Sequence, residues 1–261
     1  MKGLLAAFVV SLFAAATLPG ESATQNRLSA TERSGAAGAP RATEPGSGAE
    51  PRLIFDGKSS KGWRGFKKAT FPEKGWVIEN GWLKRMVSTG QDSGGPGDII
   101  TIDTFDNFDL QFEWNVAPGA NSGVKYLVTE DRSGPIAHEY QVIDDARHED
   151  AKLGPTRATA ALYDAIPAPA NKPLKPAGEI NSGRIVVNGM HVEHWLNGVK
   201  VIEYELESPA LKAAKEKSKF KDEAGWGTKL KGHILLQDHG DEIWFRNIRI
   251  RELPPSTSTS R

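Results

Sequence analysis

The chain has 261 residues, and its 33 Lys and Arg are balanced by 33 Asp and Glu. A net charge of zero excludes a protein whose main work is coating nucleic acid or an anionic membrane, since both require excess positive charge. Cysteine is absent, which removes disulfides, thiolate nucleophiles, zinc–thiolate sites, iron–sulfur clusters and Cys-linked lipids together.

Residues 1–23 read as an export signal: Met1-Lys2, a nearly all-apolar run from Leu4 to Leu18, then small residues Ser22-Ala23 before the expected cut. The apolar run is shorter than the ~20 residues that span a bilayer. Residues 24–52 hold one large apolar side chain, Leu28, and no aromatic. Such a segment buries too little surface to offset its ordering entropy, so a disordered linker is expected, and the tail 254–261 reads the same way. All seven Trp lie between Leu53 and Leu253. One domain over 53–253 follows, with the chain placed in the periplasm or outside the cell.

Within the domain, Asn80-Gly81, Asn188-Gly189 and Asn197-Gly198 each sit between apolar or β-branched runs. Asn-Gly accepts positive φ at both centres of a two-residue hairpin turn. The first joins 76–79 to 82–84, the second 184–187 to 190–193, and the third 194–196 to 199–202. In 109–115, Leu110, Phe112 and Trp114 alternate with Gln111, Glu113 and Asn115, the period of a half-buried strand. Further strands are expected at 140–143, 233–237 and 243–250. A helix is expected from Ser208 as cap and Pro209 as first helical residue, with Leu211 to Phe220 following. Many short strands with frequent turns predict an all-β sandwich or jelly roll with one short helix in a late insertion. The segments 146–179 and 206–229 carry little β pattern, and loops of that length are usually functional or disordered.

The sequence has no glycine-rich phosphate loop, no Gly-x-Ser-x-Gly elbow and no His-Glu-x-x-His. His191 and His194, three apart on a strand, point to opposite faces and share no metal. Asp144-Asp145 with Glu149-Asp150 matches no recognised calcium loop spacing. Strand parity is more informative. If Phe112, Val142 and Leu236 face the core, then Glu113, Glu139, Gln141, Gln237 and His239 point outward and can meet in one concave groove.

Together these motifs resemble the 3-keto-disaccharide hydrolase domain family. The resemblance rests on Leu53-Ile54-Phe55-Asp56-Gly57-Lys58 with Gly62-Trp63, Glu113-Trp114 with Asn121-Ser122-Gly123, and Glu139-Tyr140-Gln141-Val142-Ile143-Asp144-Asp145. Ala161-Leu162-Tyr163-Asp164, Pro176-Ala177-Gly178-Glu179, His194-Trp195-Leu196-Asn197-Gly198, Leu236-Gln237-Asp238-His239-Gly240 and Phe245-Arg246-Asn247-Ile248 continue it in the family's order.

The resemblance implies a concanavalin-like jelly roll of two antiparallel sheets, related to laminarinase-type glucanases, with carbohydrate on the concave sheet. Gln141 stands at the middle place of the glucanase acidic motif, and an amide is no nucleophile, so ordinary double displacement is disfavoured. A 3-keto sugar permits removal of the acidified C2 proton, β-elimination of the C1 aglycone and re-addition of water. Glu113 is the candidate base, and His239 or His148 the candidate acid. Asn121, Lys125, Glu139, Gln141, Asp145, Tyr163, Glu179 and Gln237 are the candidate substrate contacts. No cofactor is required, with a divalent metal left open as an aid in polarising the ketone. The expected partner is a carbohydrate substrate, with no nucleic acid and no membrane contact beyond signal-directed export. A non-catalytic glycan-binding module and a conventional glucanase are the competing readings.

Overall fold

The computed structural model describes residues 50–87 and 97–254. The expected signal at 1–23 and nearly all of the expected linker and tail lie outside those residues. Thirteen strands are present among the described residues: β1 (Arg52–Leu53), β2 (Trp63–Gly65), β3 (Trp76–Glu79), β4 (Trp82–Arg85), β5 (Ile99–Thr101), β6 (Phe108–Val116) and β7 (Asn121–Val128), then β8 (His138–Ile143), β9 (Asn181–Asn188), β10 (His191–Leu196), β11 (Val199–Glu205), β12 (His233–Leu236) and β13 (Ile243–Glu252). Arg52, expected in the linker, pairs with Ile250 instead.

The strands form two antiparallel sheets, as the jelly-roll expectation requires. The eight-stranded sheet runs β11-β10-β9-β6-β13-β4-β3 with β1 on β13, and the five-stranded sheet runs β2-β5-β12-β7-β8. Alternation fixes which face of each is inside. Leu110, Phe112 and Trp114 of β6 share one buried cluster with Val124 and Tyr126 of β7, Tyr140 and Val142 of β8, and Ile234 and Leu236 of β12. The core therefore lies between the sheets, and the polar alternates of each sheet face away from the other.

Two hairpins form as their Asn-Gly pairs dictate: Asn80 and Gly81 have φ of 52° and 81°, and Asn197 and Gly198 have 48° and 82°. The third differs by one residue. Asn188 pairs with His191 across the turn, leaving Gly189 (φ 62°) and Met190 as its centres; glycine first is the order a type II′ turn requires. Strand β7 was not expected, because all eight of its residues are buried and a strand covered on both faces shows no alternation. The expected late helix is α2 (Pro209–Glu216), where Ser208 Oγ accepts the Leu211 N–H at 3.1 Å. A four-residue helix, α1 (Glu149–Lys152), opens the long 146–179 loop.

That loop also covers the edge of β8. The Ala160 N–H donates to the Gln141 carbonyl, the Gln141 N–H to Ala161, and the Tyr163 N–H to Glu139. An edge strand left open would template aggregation.

The core holds a polar chain whose proton directions follow from one carbonyl. The Ala160 oxygen accepts from His194 Nδ1 at 3.0 Å, so His194 Nε2 must accept from the Tyr126 hydroxyl at 2.7 Å. Tyr126 oxygen then accepts from Tyr204 at 2.6 Å, and Tyr204 oxygen from His138 Nδ1 at 2.6 Å. Burial pushes His138 down to about 3 and His194 to about 4. Both rings are neutral when folded and take a proton near 6.5 when unfolded. Below pH 6.5 the unfolded chain binds more protons, so stability is lost as pH falls, by about 1.4 kcal/mol per unit per ring until the folded values are reached. Urea midpoints should therefore fall from pH 6.5 to 4.5, and fall less steeply in His194→Gln; equal slopes would contradict this assignment.

Candidate active site

The outer face of the five-stranded sheet gathers polar side chains that are buried yet aimed away from the core. Register places Asn121 opposite Ile143, Gly123 opposite Gln141, and Lys125 opposite Glu139 on β7 and β8. Continuing the β5–β12 pairing brings Asp98 beside Gln237, and the Gln237 N–H donates to the Gly123 carbonyl at 2.9 Å. Asp98, Gln237, Gly123 and Gln141 thus form a row across four strands. An apolar patch of Ile100, Val128, Ala137 and Leu235, with Phe66 against it, floors the neighbouring part of this face.

Glu139 is the centre of the face. It is 4% exposed, and its carboxylate lies 3.6 Å from Lys125 Nζ. It folds back across the sheet over Gly123, where a Cβ would stand 2.3 Å from its Oε1. Only glycine leaves that room. Lys125 also donates to the Pro135 carbonyl at 3.2 Å. Asp98 is part-buried, and its Oδ1 accepts the Asp238 N–H at 2.8 Å. Burial, reinforced by the charges of Glu139 and Asp238, raises its pKa against the pull of Lys125. The neutral form of Asp98 is thereby favoured, while the Glu139 carboxylate sits beside a cation.

The two long loops supply the walls. Tyr163 donates its hydroxyl to Asp150 at 2.8 Å, and Arg157 binds Asp150 at 2.5 Å and Asp164 at 2.8 Å. Burial opposes ionisation of Asp150, but Arg157 and Tyr163 outweigh it and hold its pKa below the usual carboxylate value. Asp164 in turn accepts the Lys219 N–H, tying one loop to the other. Lys219 is an exposed residue, yet its ammonium lies 4.2 Å from the centre of the Tyr163 ring. Lost hydration there, with the charge of Lys125 added, draws its pKa down against Glu139 and Asp164. A cavity of about 200 Å³ is lined by Lys125, Glu139, Lys219, Ile136, Phe220 and Glu223, among others.

Two buried amide oxygens on this face, Asn121 Oδ1 and Gln141 Oε1, have no hydrogen-bond partner. Such groups are costly unless something pairs with them. Lys125, Glu139, Gln141, Gln237, Asn121 and Tyr163 therefore belong to one region, as the parity reading expected for several of them.

His148 and His239 stand beside it. Their rings meet edge to face with centroids 5.7 Å apart, and Asp241 accepts the Asn121 N–H at 2.9 Å. Ligand atoms of His148, His239 and Asp241 lie within 4.8 Å of one another, as do those of His191, Glu193 and Glu203. His148 Nδ1 caps α1 by accepting the Asp150 N–H at 3.0 Å. Its proton then sits on Nε2, which makes that nitrogen a hydrogen-bond donor and not a metal ligand. His239 is half exposed in a turn whose N–H groups Asp238 caps: Asp238 Oδ1 accepts Gly240 N–H at 2.9 Å and the Arg85 guanidinium at 2.6 Å.

Two expected site residues, Glu113 and Glu179, lie elsewhere. Glu113 and His239 do not meet: Glu113 projects from the outer face of the eight-stranded sheet, where it pairs with Arg246 at 2.7 Å. Parity was right strand by strand, but β6 and β12 belong to different sheets, so their outward faces are opposite. Glu179 is exposed in a turn beside Asn115, held by Gly178. Asp145, just past the end of β8, accepts the Thr159 N–H at 2.7 Å and pairs with Lys172 at 2.7 Å. Asp98 and Lys219 were missed. Asp98 precedes a strand of three residues, and Lys219 lies in a lysine run that reads as a solvated helix face.

Residues 50–251 match the family described as the 3-keto-alpha-glucoside-1,2-lyase-like domain. The chain belongs to that family. A Bacteroides thetaiotaomicron protein named 3-keto-disaccharide hydrolase is 42% identical over 228 residues, covering 77% of each chain. A Parabacteroides distasonis protein, provisionally described as a glycosyl hydrolase, is 29% identical with a TM-score of 0.69, covering 78% of this chain and 94% of that one. A second from the same source is 30% identical with a TM-score of 0.59, covering 78% and 100%. Among the described residues of this lyase-like domain, no helix is long and apolar enough to cross a membrane.

The contact between Gly123 and Glu139 gives a direct test. Gly123→Ala should destabilise the fold by about 1–3 kcal/mol, the usual cost of overpacking. In a Glu139→Ala background most of that cost should vanish, as a double-mutant cycle measures. An additive cycle would show that the two groups do not compete for the same space.

Proposed function

We propose that the chain cleaves the glycosidic bond of 3-keto-glycosides on the outer face of the five-stranded sheet, by elimination followed by hydration. The observation that carries this is Glu139 beside Lys125, with Asp98 in electrostatic contact and two amide oxygens left without partners. The family and the named relative support the substrate class.

In this reading the Glu139 carboxylate takes the C2 proton. The C2–H electrons form the enolate, whose oxygen at C3 is met by the ammonium groups of Lys125 and Lys219. The enolate collapses, a C1–C2 double bond forms, and the bond from C1 to the aglycone oxygen breaks. Asp98, favoured in its protonated form, gives that oxygen a proton. Water then adds its oxygen to C1 while C2 regains a proton, and the net change is hydrolysis. Asn121 and Gln141 accept hydrogen bonds from sugar hydroxyls. From Lys125 to Asn121 the face runs about 13 Å along the strand, so the His148–His239 pair at the far end meets the leaving sugar. This moves the base from Glu113 to Glu139 and the acid from the histidines to Asp98. Export through residues 1–23 belongs to the same reading and puts the reaction beyond the inner membrane.

With a 3-keto-disaccharide as substrate, Glu139→Gln should lower kcat by about 10²–10⁴-fold, while Glu113→Gln leaves it within about threefold. Product formed in D₂O should carry deuterium at C2. Full activity in Glu139→Gln, or loss in Glu113→Gln alone, would overturn the assignment.

A further inference from the structure

Glu113, Trp195 and Arg246 are singled out by sequence yet left unused by the cleft. All three project from the outer face of the eight-stranded sheet. A groove of about 500 Å³ lies there, lined by Gln111, Glu113, Ser182, Arg184, Trp195 and Arg249, among others. It is larger than the cavity beside Glu139 and separated from it by the core.

Register explains its shape. Trp195 of β10 pairs with Arg184 of β9, Arg184 with Gln111 of β6, and Gln111 with Arg249 of β13. These four form one row at right angles to the strands, about 14 Å long at the usual interstrand spacing. Ser182, Glu113 and Arg246 form the neighbouring row. A bulge between Arg246 and Arg249, with Asn247 at φ 52°, turns Asn247 out into the groove.

The planar groups are held in place before any ligand arrives. Arg184 grips Asp109 through two bonds of 2.7 and 2.9 Å and lies 5.1 Å from the Trp195 ring centre. Trp195 donates its indole N–H to Glu193 at 2.7 Å. Arg246 is fixed between Glu113 and the Trp82 ring, 4.2 Å from its centre. Arg249 is exposed and lines the groove beside these paired neighbours.

The geometry points to a second saccharide-binding site in this groove, distinct from the reaction cleft and non-catalytic. A pyranose offers an apolar C–H face, which packs on an indole, and a rim of hydroxyls, which donate to carboxylate and amide oxygens and accept from amide and guanidinium N–H groups. The row's length and straightness fit a short linear oligosaccharide. Its preformed donors lower the ordering cost of binding. Nothing in this inference depends on which residues carry the chemistry in the cleft.

Calorimetric titration of the full chain with two probes, laminarihexaose and tetragalacturonate, tests it. Binding of either at low millimolar concentration is expected, weakened about tenfold or more in Trp195→Ala, with turnover of a 3-keto-disaccharide unchanged. Gln111→Ala, at an exposed position, gives the same readout should Trp195→Ala fail to fold. A preference for tetragalacturonate that disappears in Arg249→Ala would fix the ligand as acidic, and binding of laminarihexaose would fix it as neutral. Absence of binding by both probes, or binding untouched in both variants, would overturn the site.

Discussion

A carboxylate lying flat over a glycine organises the outer face of the five-stranded sheet. Glu139 reaches across to stand where any side chain on Gly123 would be, and there its charge meets Lys125. A buried carboxylate without a cation would be neutralised or expelled. Lys125 supplies that cation at 3.6 Å, and the loop network of Asp150, Arg157, Tyr163 and Asp164 ties the neighbouring walls together.

The loops owe their position to the same strand. Backbone bonds from 160–163 to Glu139 and Gln141 close the β8 edge, and the Ala160 carbonyl sets the proton order of the His194–Tyr126–Tyr204–His138 chain. One loop segment thus seals the sheet, orients the core histidines and presents Tyr163 to the cleft. Long connections without regular structure persist here because their polar backbone finds partners on the sheet they cover.

Much of the fold was legible because its signals are local. Asn-Gly turns, alternation in β6 and β13, and the Ser208-Pro209 helix start each depend on a few neighbouring residues. Strand β7 was not legible, since burial on both faces erases alternation, and β2 and β5 are too short to show a period. The site was legible in part. Parity sent Glu139, Gln141 and Gln237 outward correctly. It sent Glu113 outward too, but nothing in a single strand tells which of two sheets it will join. Asp98 and Lys219 gain their character only from distant neighbours, namely Glu139, Asp238 and Tyr163, and so left no mark in their own surroundings.

The most direct measurement is a crystal structure of the chain with a 3-keto-glucoside bound. The sugar is expected on the five-stranded sheet, with C2 about 3–3.5 Å from a Glu139 oxygen and the C3 oxygen toward Lys125 or Lys219. A keto sugar bound instead against Glu113 and Arg246, or in the cleft with C2 turned away from Glu139, would contradict it.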